Sequence, residues 1–477
     1  MKFRDVIDAG RIAAGGLKDF AAGLVNPTLR LGVTGLSQAG KTVFITALIH
    51  SLTKDARLPL FEAQASGRIT RAYLEPQPDD DLPRFAYEKH LNSLTSEQRM
   101  WPESTRRISQ LRLTLEYEPQ GLIARNFGRG KLHVDIVDYP GEWLLDLPLM
   151  QMSYRQWAKA TIEASRQEPR NALAKNWHRH LATLDASSQS NELAAVEAAS
   201  LFTAYLAKCR HQDVSLSSLP PGRFLVPGDL AGTPLLTFAP LDMTPGQPLP
   251  RGSLGNLMQR RYDSYVSKIV QPFFFGHFAR LNRQIVLVDV LSALNAGAAA
   301  VQDLRTALTQ IMVCFRTGSS SLLSDIFGRR IDRILFAATK ADLLHQTSHD
   351  RLEDILRLIV EESSAQAEFS GAKVEVAAIA AIRATREAKV QKKNEELLCI
   401  VGTPQNGEII AGKTFDGERE AAIFPGDLPE SASDALDGTM QGKLKFVRFR
   451  PPPRGDAAFP HIRLDRALEF LLGDRFS

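Results

Sequence analysis

The sequence predicts an α/β fold in which a mostly parallel sheet carries helices on both faces. Residues 29–52 read LRLGVTGLSQAGKTVFITALIHSL, where a short apolar run is followed by apolar residues at helical spacing. Three later strand-like runs are separated by helical patterns, and strands that alternate with helices pair in parallel with right-handed crossovers. The runs are 283–291, 333–342 and 372–381, and the helical patterns between them are 300–316 and 350–368.

The stretch GLSQAGKT, residues 35–42, fits the phosphate-loop pattern G-x-x-x-x-G-K-[ST] at every position. Between a strand and a helix, its backbone N–H groups point at phosphates, while Lys41 reaches the β and γ oxygens and the Thr42 hydroxyl binds Mg²⁺. The fold is therefore predicted to be a P-loop NTPase. The pattern by itself leaves ATP and GTP open. The residues predicted to bind nucleotide here are Gly35, Ser37, Gln38, Ala39, Gly40, Lys41, Thr42 and Val43.

A second group for the metal and the γ-phosphate is predicted in VDIVDYPGEW. Asp138 closes an apolar strand and can hold Mg²⁺, and the backbone N–H of Gly141 can meet the terminal phosphate. Glu142 stands where a Gln often orients the attacking water, and its charge is repelled beside a triphosphate. The Gln38 amide is an alternative. The catalytic candidates are Lys41, Thr105, Gly141, Glu142 and Gln38. We expect slow intrinsic hydrolysis, and the sequence leaves open whether a partner protein is needed.

The base is predicted from TKAD, residues 339–342, at the end of a later strand. The Asp342 carboxylate can accept two hydrogen bonds, from the ring N–H and the exocyclic amine of guanine, whereas adenine presents no such pair. Thr339 begins this element, and the stem of Lys340 can lie over the ring. Ala380 and Ala381 follow the next strand and offer backbone N–H groups to the guanine oxygen. Guanine is therefore favoured.

A threonine that moves with the γ-phosphate is predicted in WPEST, directly before the strand-like run 106–119. Thr105 can bring its hydroxyl and carbonyl to Mg²⁺ when the triphosphate is bound. Thr70 is the competing candidate. The predicted metal ligands are Thr42, Thr105 and Asp138, and the predicted cofactors are GTP or GDP with Mg²⁺.

Other chemistry-bearing residues are interpreted as structural. Asp289 ends an apolar strand but has no following glycine, so it is expected beside the site and not on the metal. His178 and His180 are two apart on a predicted helix, about 200° around its axis, and cannot chelate one metal. The run REAKVQKKNEE is interpreted as a solvated helix face.

The chain divides into five predicted segments. The strand-like runs at 106–119 and 131–141 should pair as a hairpin, and 53–103 is interpreted as a small helical insertion or a mobile lid. The segments are an N-terminal helix at 1–28, the first half of the nucleotide domain at 29–149, an inserted helical domain at 150–280, the second half at 281–394 and a β-rich extension at 395–477.

Composition limits which partners and which cellular location we expect. Lys and Arg number 58 against 54 Asp and Glu, and a net charge of +4 is too weak to predict nucleic-acid binding. Three dispersed cysteines favour a reducing cytosol. No window of about 18 uncharged apolar residues predicts a membrane span. The expected location is cytoplasmic, with peripheral contact to the inner membrane through the helix at 1–28 as a minor option.

Five strings in this order resemble the YcjX-like proteins of proteobacteria, also called the YcjX stress protein family, over nearly the whole chain. The resemblance implies a Ras-like GTP-binding domain with added helical and C-terminal elements, GTPase activity, and a link to envelope or phage-shock stress. A nucleotide-gated scaffold with negligible hydrolysis and an ATPase are the alternatives, and a protein effector or activator is expected but not identified. The strings are GLSQAGKTVFITALIHSL, WPEST, DYPGEWLLDLPL, VDVLSALNAG and TKADLLH.

Overall fold

The computed structural model describes most of the chain from residue 27 onward. The predicted N-terminal helix at 1–28 lies outside the described residues except for its last two, and Ser37 also lies outside them. The described ranges are 27–36, 38–54, 56–120, 130–211, 214–244, 246, 248–316, 331–392, 395–410, 412–453 and 458–476.

A seven-stranded sheet forms the centre of the nucleotide domain, in the order β2-β3-β4-β1-β5-β6-β7. The five strands from β4 to β7 in this order pair in parallel, and β3 pairs with β4 and β2 with β3 in antiparallel fashion. The predicted fold class and the predicted hairpin are thus confirmed. The strands are β1 Thr28–Gly35, β2 Ile69–Glu75, β3 Ser109–Tyr117, β4 Gly130–Asp138, β5 Arg283–Val288, β6 Arg333–Ala338 and β7 Lys373–Ala378.

Helices cover both faces of this sheet because its central strands are apolar on both sides. On β5, Ile285 and Leu287 pack in one core with the helices Lys41–Thr53 and Leu464–Leu472, whereas Val286 and Val288 pack in a second core on the other face. The helices of the nucleotide domain are α1 Lys41–Thr53, α2 Glu62–Ala65, α3 Tyr87–Thr95, α10 Val290–Ala296, α11 Ala298–Arg316, α12 His349–Ile359, α13 Glu361–Phe369 and α15 Leu464–Leu472.

The inserted part has its own core, built on aromatic side chains. Trp157 stacks on Tyr262 with ring centroids 5.2 Å apart, and Trp177 stacks on Tyr205. A 3-10 helix, Gly141–Gln151, leads from the sheet into this part. The other helices are α4 Tyr154–Ser165, α5 Arg170–Leu181, α6 Glu192–Arg210, α7 Gly222–Leu225, α8 Leu254–Tyr265 and α9 Gln271–Gly276, with a π-helix at Val266–Val270.

The C-terminal part contains a three-stranded sheet in the order β12-β9-β8 and a short hairpin. The run REAKVQKKNEE was interpreted as a helix face, and this is wrong: it forms β8, which pairs with β9. The predicted boundary after 394 therefore falls inside a strand pair. The strands are β8 Arg386–Lys392, β9 Glu395–Gly402, β10 Ile409–Ile410, β11 Lys413–Thr414 and β12 Ala421–Ile423, and α14 spans Ala432–Leu436.

The segment 53–103 is not only a helical insertion or a lid, because it supplies the edge strand β2 between α2 and α3. Polar residues hid this strand from the sequence pattern: Thr70 and Arg71 are exposed, and every other residue of β2 is only half-buried. Among the residues that the structure describes, no helix is long and apolar enough to cross a membrane.

Candidate nucleotide-binding site

A cavity of about 920 Å³ lies where the parallel strands end, and the P-loop, Thr105, Glu142, Asp289 and Asp342 line it. The carboxyl ends of β1, β4, β5, β6 and β7 meet at one edge of the sheet, as the paired registers show. Ligands in open α/β sheets bind in such a crevice. The inserted part and the C-terminal part complete the walls.

The phosphate loop has the backbone that its sequence predicts. Gln38 and Gly40 adopt left-handed conformations, with φ of 62° and 84°. α1 starts at Lys41 without a side-chain cap, so its first N–H groups remain directed at the cavity. The Lys41 ammonium is buried and donates to the carbonyl of Gly35, with an Nζ to O distance of 2.7 Å.

Gly141 must be a glycine because of how closely it approaches this loop. A Cβ at Gly141 would lie 1.9 Å from the carbonyl oxygen of Gly35. The segment after β4 is therefore held against the end of β1. This close approach places Gly141, whose N–H is predicted to contact the γ-phosphate, beside the P-loop.

A chain of short polar side chains links the P-loop to Asp138. Thr105 donates its hydroxyl to Asp138 Oδ2 at 2.7 Å, and its Oγ1 lies 3.2 Å from Oγ1 of Thr42. Burial raises the pKa of Asp138 to about 6, while the nearby Lys41 ammonium and the Thr105 bond favour its ionised form. The three predicted metal ligands therefore lie together.

This group fits a magnesium ion. Asp138 Oδ1 is buried and has no hydrogen-bond partner within the described part of the chain. Carboxylate and hydroxyl oxygens are the ligands that Mg²⁺ prefers. The competing threonine does not fit, since Thr70 lies on the edge strand β2 and donates to the carbonyl of Glu116.

Glu142 does not point freely at the phosphate loop. Its Oε1 lies 3.3 Å from Nη1 of Arg210, the last residue of α6 in the inserted part. Both side chains line the cavity. Sequence reasoning missed Arg210, because it is 68 residues from Glu142 at the end of an ordinary helix and has no local motif.

On the base side, Asp342 Oδ2 accepts a hydrogen bond from the backbone N–H of Ala384 at 2.9 Å. Burial raises the pKa of this carboxyl to about 6, and the Ala384 bond opposes the rise. Lys340 adopts a left-handed conformation and its ammonium lies 2.5 Å from Asp289 Oδ2. Asp289 also accepts from the N–H of Ser292 and caps α10, so it is occupied beside the site.

Of the other residues predicted to contact the base, Ala381 and Thr339 line the cavity. Ala380 also borders it, but its N–H already donates to the carbonyl of Ile462 at 3.0 Å. Of the two residues predicted to meet the guanine oxygen, Ala381 is therefore the remaining candidate. Val43 and Ala39 border the cavity as well.

The C-terminal part supplies a wall that sequence reasoning missed. Trp101 donates its indole N–H to the carbonyl of Phe449 at 2.7 Å, and Phe446, Val447 and Arg448 also border the cavity. The partners are 348 residues apart, so no local pattern could indicate the contact.

The two histidines contact separate partners. His178 Nε2 lies 2.7 Å from the hydroxyl of Ser165, and His180 Nδ1 lies 3.9 Å from Glu197. Within the described ranges, no group of three or more His, Cys, Asp or Glu side chains could hold a metal ion. The side chains predicted to hold magnesium are of a different kind, since they are one carboxylate and two threonine hydroxyls.

A P-loop between the first strand and helix of a mostly parallel sheet, with an acid at the end of the adjacent strand, defines a P-loop nucleotide-binding protein with a Ras-like fold. A profile of the YcjX-like family, DUF463, matches residues 29–476. The chain belongs to this family, which confirms the resemblance predicted from its motifs.

Two relatives in this family cover almost the whole chain. Ras-like GTPase YcjX of Shewanella oneidensis is 36% identical over 470 residues, which is 94% of this chain and 94% of that protein. Ras-like GTPase YcjX of Escherichia coli K12 is 35% identical over 462 residues, which is 94% of this chain and 96% of that protein.

Proposed function

We propose that the protein binds GTP with Mg²⁺, hydrolyses it slowly to GDP and acts as a nucleotide switch. The observation that carries the proposal is that Lys41, Asp138 and Asp342 line or adjoin one cavity at the carboxyl edge of the sheet. The volume of about 920 Å³ suits a nucleoside triphosphate. The relatives named Ras-like GTPase support the same conclusion.

Guanine specificity is assigned to Asp342, whose ionised carboxylate accepts the ring N–H and the amine of guanine. Thr339 and Lys340 orient this element, and the Ala381 N–H meets the guanine oxygen. The phosphates lie along the loop from Gly35 to Val43, Ser37 included, with the Lys41 ammonium on the β and γ oxygens.

Thr42, Thr105 and Asp138 would hold the magnesium ion. When bound, Mg²⁺ neutralises charge on the β- and γ-phosphates. The Gly141 N–H meets the γ-phosphate, and Glu142 or Gln38 orients the attacking water. Because Thr105 contacts both Thr42 and Asp138 through its hydroxyl, its position depends on what occupies this group.

The first test is Asp342→Asn. The variant keeps an oxygen acceptor for the Ala384 N–H, so it should fold, but it cannot accept both guanine donors. GTP affinity should fall at least about tenfold, equivalent to about 1.4 kcal/mol, while ATP binding is unchanged. Titration calorimetry measures both.

The matched control is Asp416→Asn, an exposed carboxylate that also accepts backbone N–H groups, which should leave GTP affinity unchanged. Unchanged GTP affinity in Asp342→Asn would show that guanine is not read here and would favour the ATPase alternative.

A second candidate function is a nucleotide-gated binding module with negligible hydrolysis. The ion pair between Glu142 and Arg210 favours it, because Glu142 is engaged and not oriented on a water. Single-turnover hydrolysis separates the two: a rate no higher than that of free GTP in buffer would leave only the binding module. The stress role, the cytoplasmic location and a protein effector stay predictions.

A further inference from the structure

Arg210 brings a cation from the inserted part into the nucleotide cavity. It is the last residue of α6, which Phe202, Leu206 and Cys209 fix in the aromatic core, each at most 1% exposed. The side chain of Arg210 is 33% exposed, and that of its partner Glu142 is 9% exposed. A helix packed in the aromatic core therefore carries Arg210 at its end, and the side chain of Arg210 is one-third exposed.

The guanidinium lies on the phosphate side of the cavity. Its partner Glu142 directly follows Gly141, whose added Cβ would touch the Gly35 carbonyl, and Lys41 donates to that same carbonyl. Arg210 is thus connected to the P-loop through consecutive contacts, Arg210 to Glu142 and the Gly141 backbone to Gly35.

The other cations that border this cavity pair with acids that also line it. Lys340 pairs with Asp289, and Arg448 pairs with Glu408 at 2.7 Å. Lys340 lies near Asp342, and Arg448 belongs to the C-terminal wall. Among the described residues, Lys41 and Arg210 are the cationic side chains tied to the phosphate loop.

The partner of Arg210 can be displaced by a phosphate. A guanidinium presents a planar fork of N–H donors that matches phosphate oxygens in a bidentate way. The γ-phosphate carries more negative charge than one carboxylate and is predicted to lie beside Gly141. Binding of a triphosphate would therefore compete with Glu142 for Arg210.

We propose that Arg210 is a catalytic residue supplied by the inserted part, which leaves Glu142 for the γ-phosphate when GTP binds and stabilises the charge of the transition state. This inference rests on the proposed GTP hydrolysis. Water forms a bond to the γ-phosphorus, the bond to the β-phosphate oxygen breaks, and the proton of the water ends on inorganic phosphate. Arg210 stays protonated, and Glu142, once released, accepts a hydrogen bond from the attacking water.

The test is single-turnover GTP hydrolysis by the full chain with Arg210→Ala. The rate should fall at least about 100-fold, since an arginine on the transferring phosphate commonly contributes more than that. Binding of fluorescent GDP should change less than about threefold. Arg210→Lys should recover little of the rate, because an ammonium lacks the planar fork.

The matched control is Arg166→Ala, which removes another arginine of the inserted part that pairs with an acid at 3.2 Å, on the protein surface. Its rate should equal that of the wild type. A second readout uses GDP with aluminium fluoride, a transition-state mimic: the wild type should bind the pair without a partner protein, and Arg210→Ala should not.

The double variant Arg210→Ala with Glu142→Gln separates a catalytic role from a structural one. If Arg210 only neutralised Glu142, the double variant would fold and hydrolyse GTP as fast as Glu142→Gln alone, which would overturn the inference. A single variant that hydrolyses GTP within threefold of the wild type would also overturn it while leaving the proposed function intact. A wild type that binds GTP without hydrolysing it would instead refute the proposed hydrolysis.

Discussion

Two segments border the phosphate side of the cavity, and they are anchored in different ways. The segment 97–105 lies against the C-terminal part through hydrogen bonds to backbone carbonyls, from Trp101 to Phe449 and from Arg450 to Gln98 at 2.6 Å. Glu103 and Ser104, between Trp101 and Thr105, are exposed. Few buried contacts hold this segment in place.

The 3-10 helix Gly141–Gln151 is instead buried in the inserted part. Asp146 accepts hydrogen bonds from the N–H of Gly222 and the hydroxyl of Tyr265, both at 2.6 Å. The guanidinium of Arg223 lies 3.2 Å from the ring centroid of Trp143.

Because of this difference, we expect the two segments to respond differently to nucleotide. We expect the segment 97–105 to rearrange at small cost, because its hydrogen bonds to the C-terminal part are exposed or only partly buried and can exchange with water. The 3-10 helix can move only together with the inserted part, because leaving it would strand buried polar groups. We therefore expect movement at Gly141 to be passed to the inserted helices.

The largest effect is expected from Asp146→Ala. It leaves the Gly222 N–H and the Tyr265 hydroxyl buried without a partner, and each unsatisfied group costs roughly 1 to 3 kcal/mol. The free energy of unfolding should fall by about 4 kcal/mol, measured by urea denaturation. Asp242→Ala, which removes an exposed carboxylate of the same part, is the control and should change little. An equal loss in both variants would contradict the buried anchor.

Asp146→Asn should change how the free energy of unfolding depends on pH, which also tests the burial of this carboxyl. Burial raises the pKa of Asp146 to about 6 from a model-compound value of 3.8. Its contribution to stability is therefore complete below pH 3.8 and is lost as pH rises through 6, by about 3 kcal/mol at neutral pH. Asparagine keeps an acceptor and does not titrate. Relative to the wild type, the variant should gain stability between about pH 4 and pH 7.

No change with pH in the stability difference between the Asn variant and the wild type would show that the carboxyl is not buried as described. Comparing the variant with the wild type at each pH matters, because Asp138 and Asp342 are also buried carboxyls with raised pKa values and shift stability in the same direction.

The features predicted from sequence share a physical origin. The P-loop, Asp138 and Asp342 each follow a strand in a short pattern, and the rule that parallel strands end at one edge brings them together. Neither Arg210 nor the contact of Trp101 with Phe449 has a local pattern, because tertiary packing alone joins residues so distant in the chain.

The prediction of a helix in the region of strand β8 was wrong for a different reason. Ala388 and Val390 alternate with Glu387, Lys389 and Gln391, so a period of two was present in the sequence. The density of charge favoured a solvated helix. Pairing with β9, including an ion pair of Lys389 with Glu396 at 2.7 Å, decided the structure.

A smaller effect is expected at the first segment from Trp101→Phe. It removes one hydrogen bond to Phe449, worth about 1 kcal/mol, and should speed hydrogen exchange at 97–105. Trp143→Phe is the matched control, since it removes an indole bond to the carbonyl of Val226 at 3.0 Å in the other segment. That control should leave exchange at 97–105 unchanged, and equal exchange in Trp101→Phe and the wild type would show that this contact does not hold the segment.

The smallest effect is expected from Arg107→Ala, which removes a direct link between the strand entry after Thr105 and the inserted part. Arg107 lies 3.7 Å from Asp229, and the two side chains are 67% and 84% exposed. Exposed ion pairs contribute little, because water screens them and two long side chains lose freedom. Urea denaturation should show a change below about 0.5 kcal/mol, equal at low and high salt. A loss above about 1 kcal/mol would mean that the inserted part anchors both segments, and the contrast between a loosely held and a firmly held segment would fail.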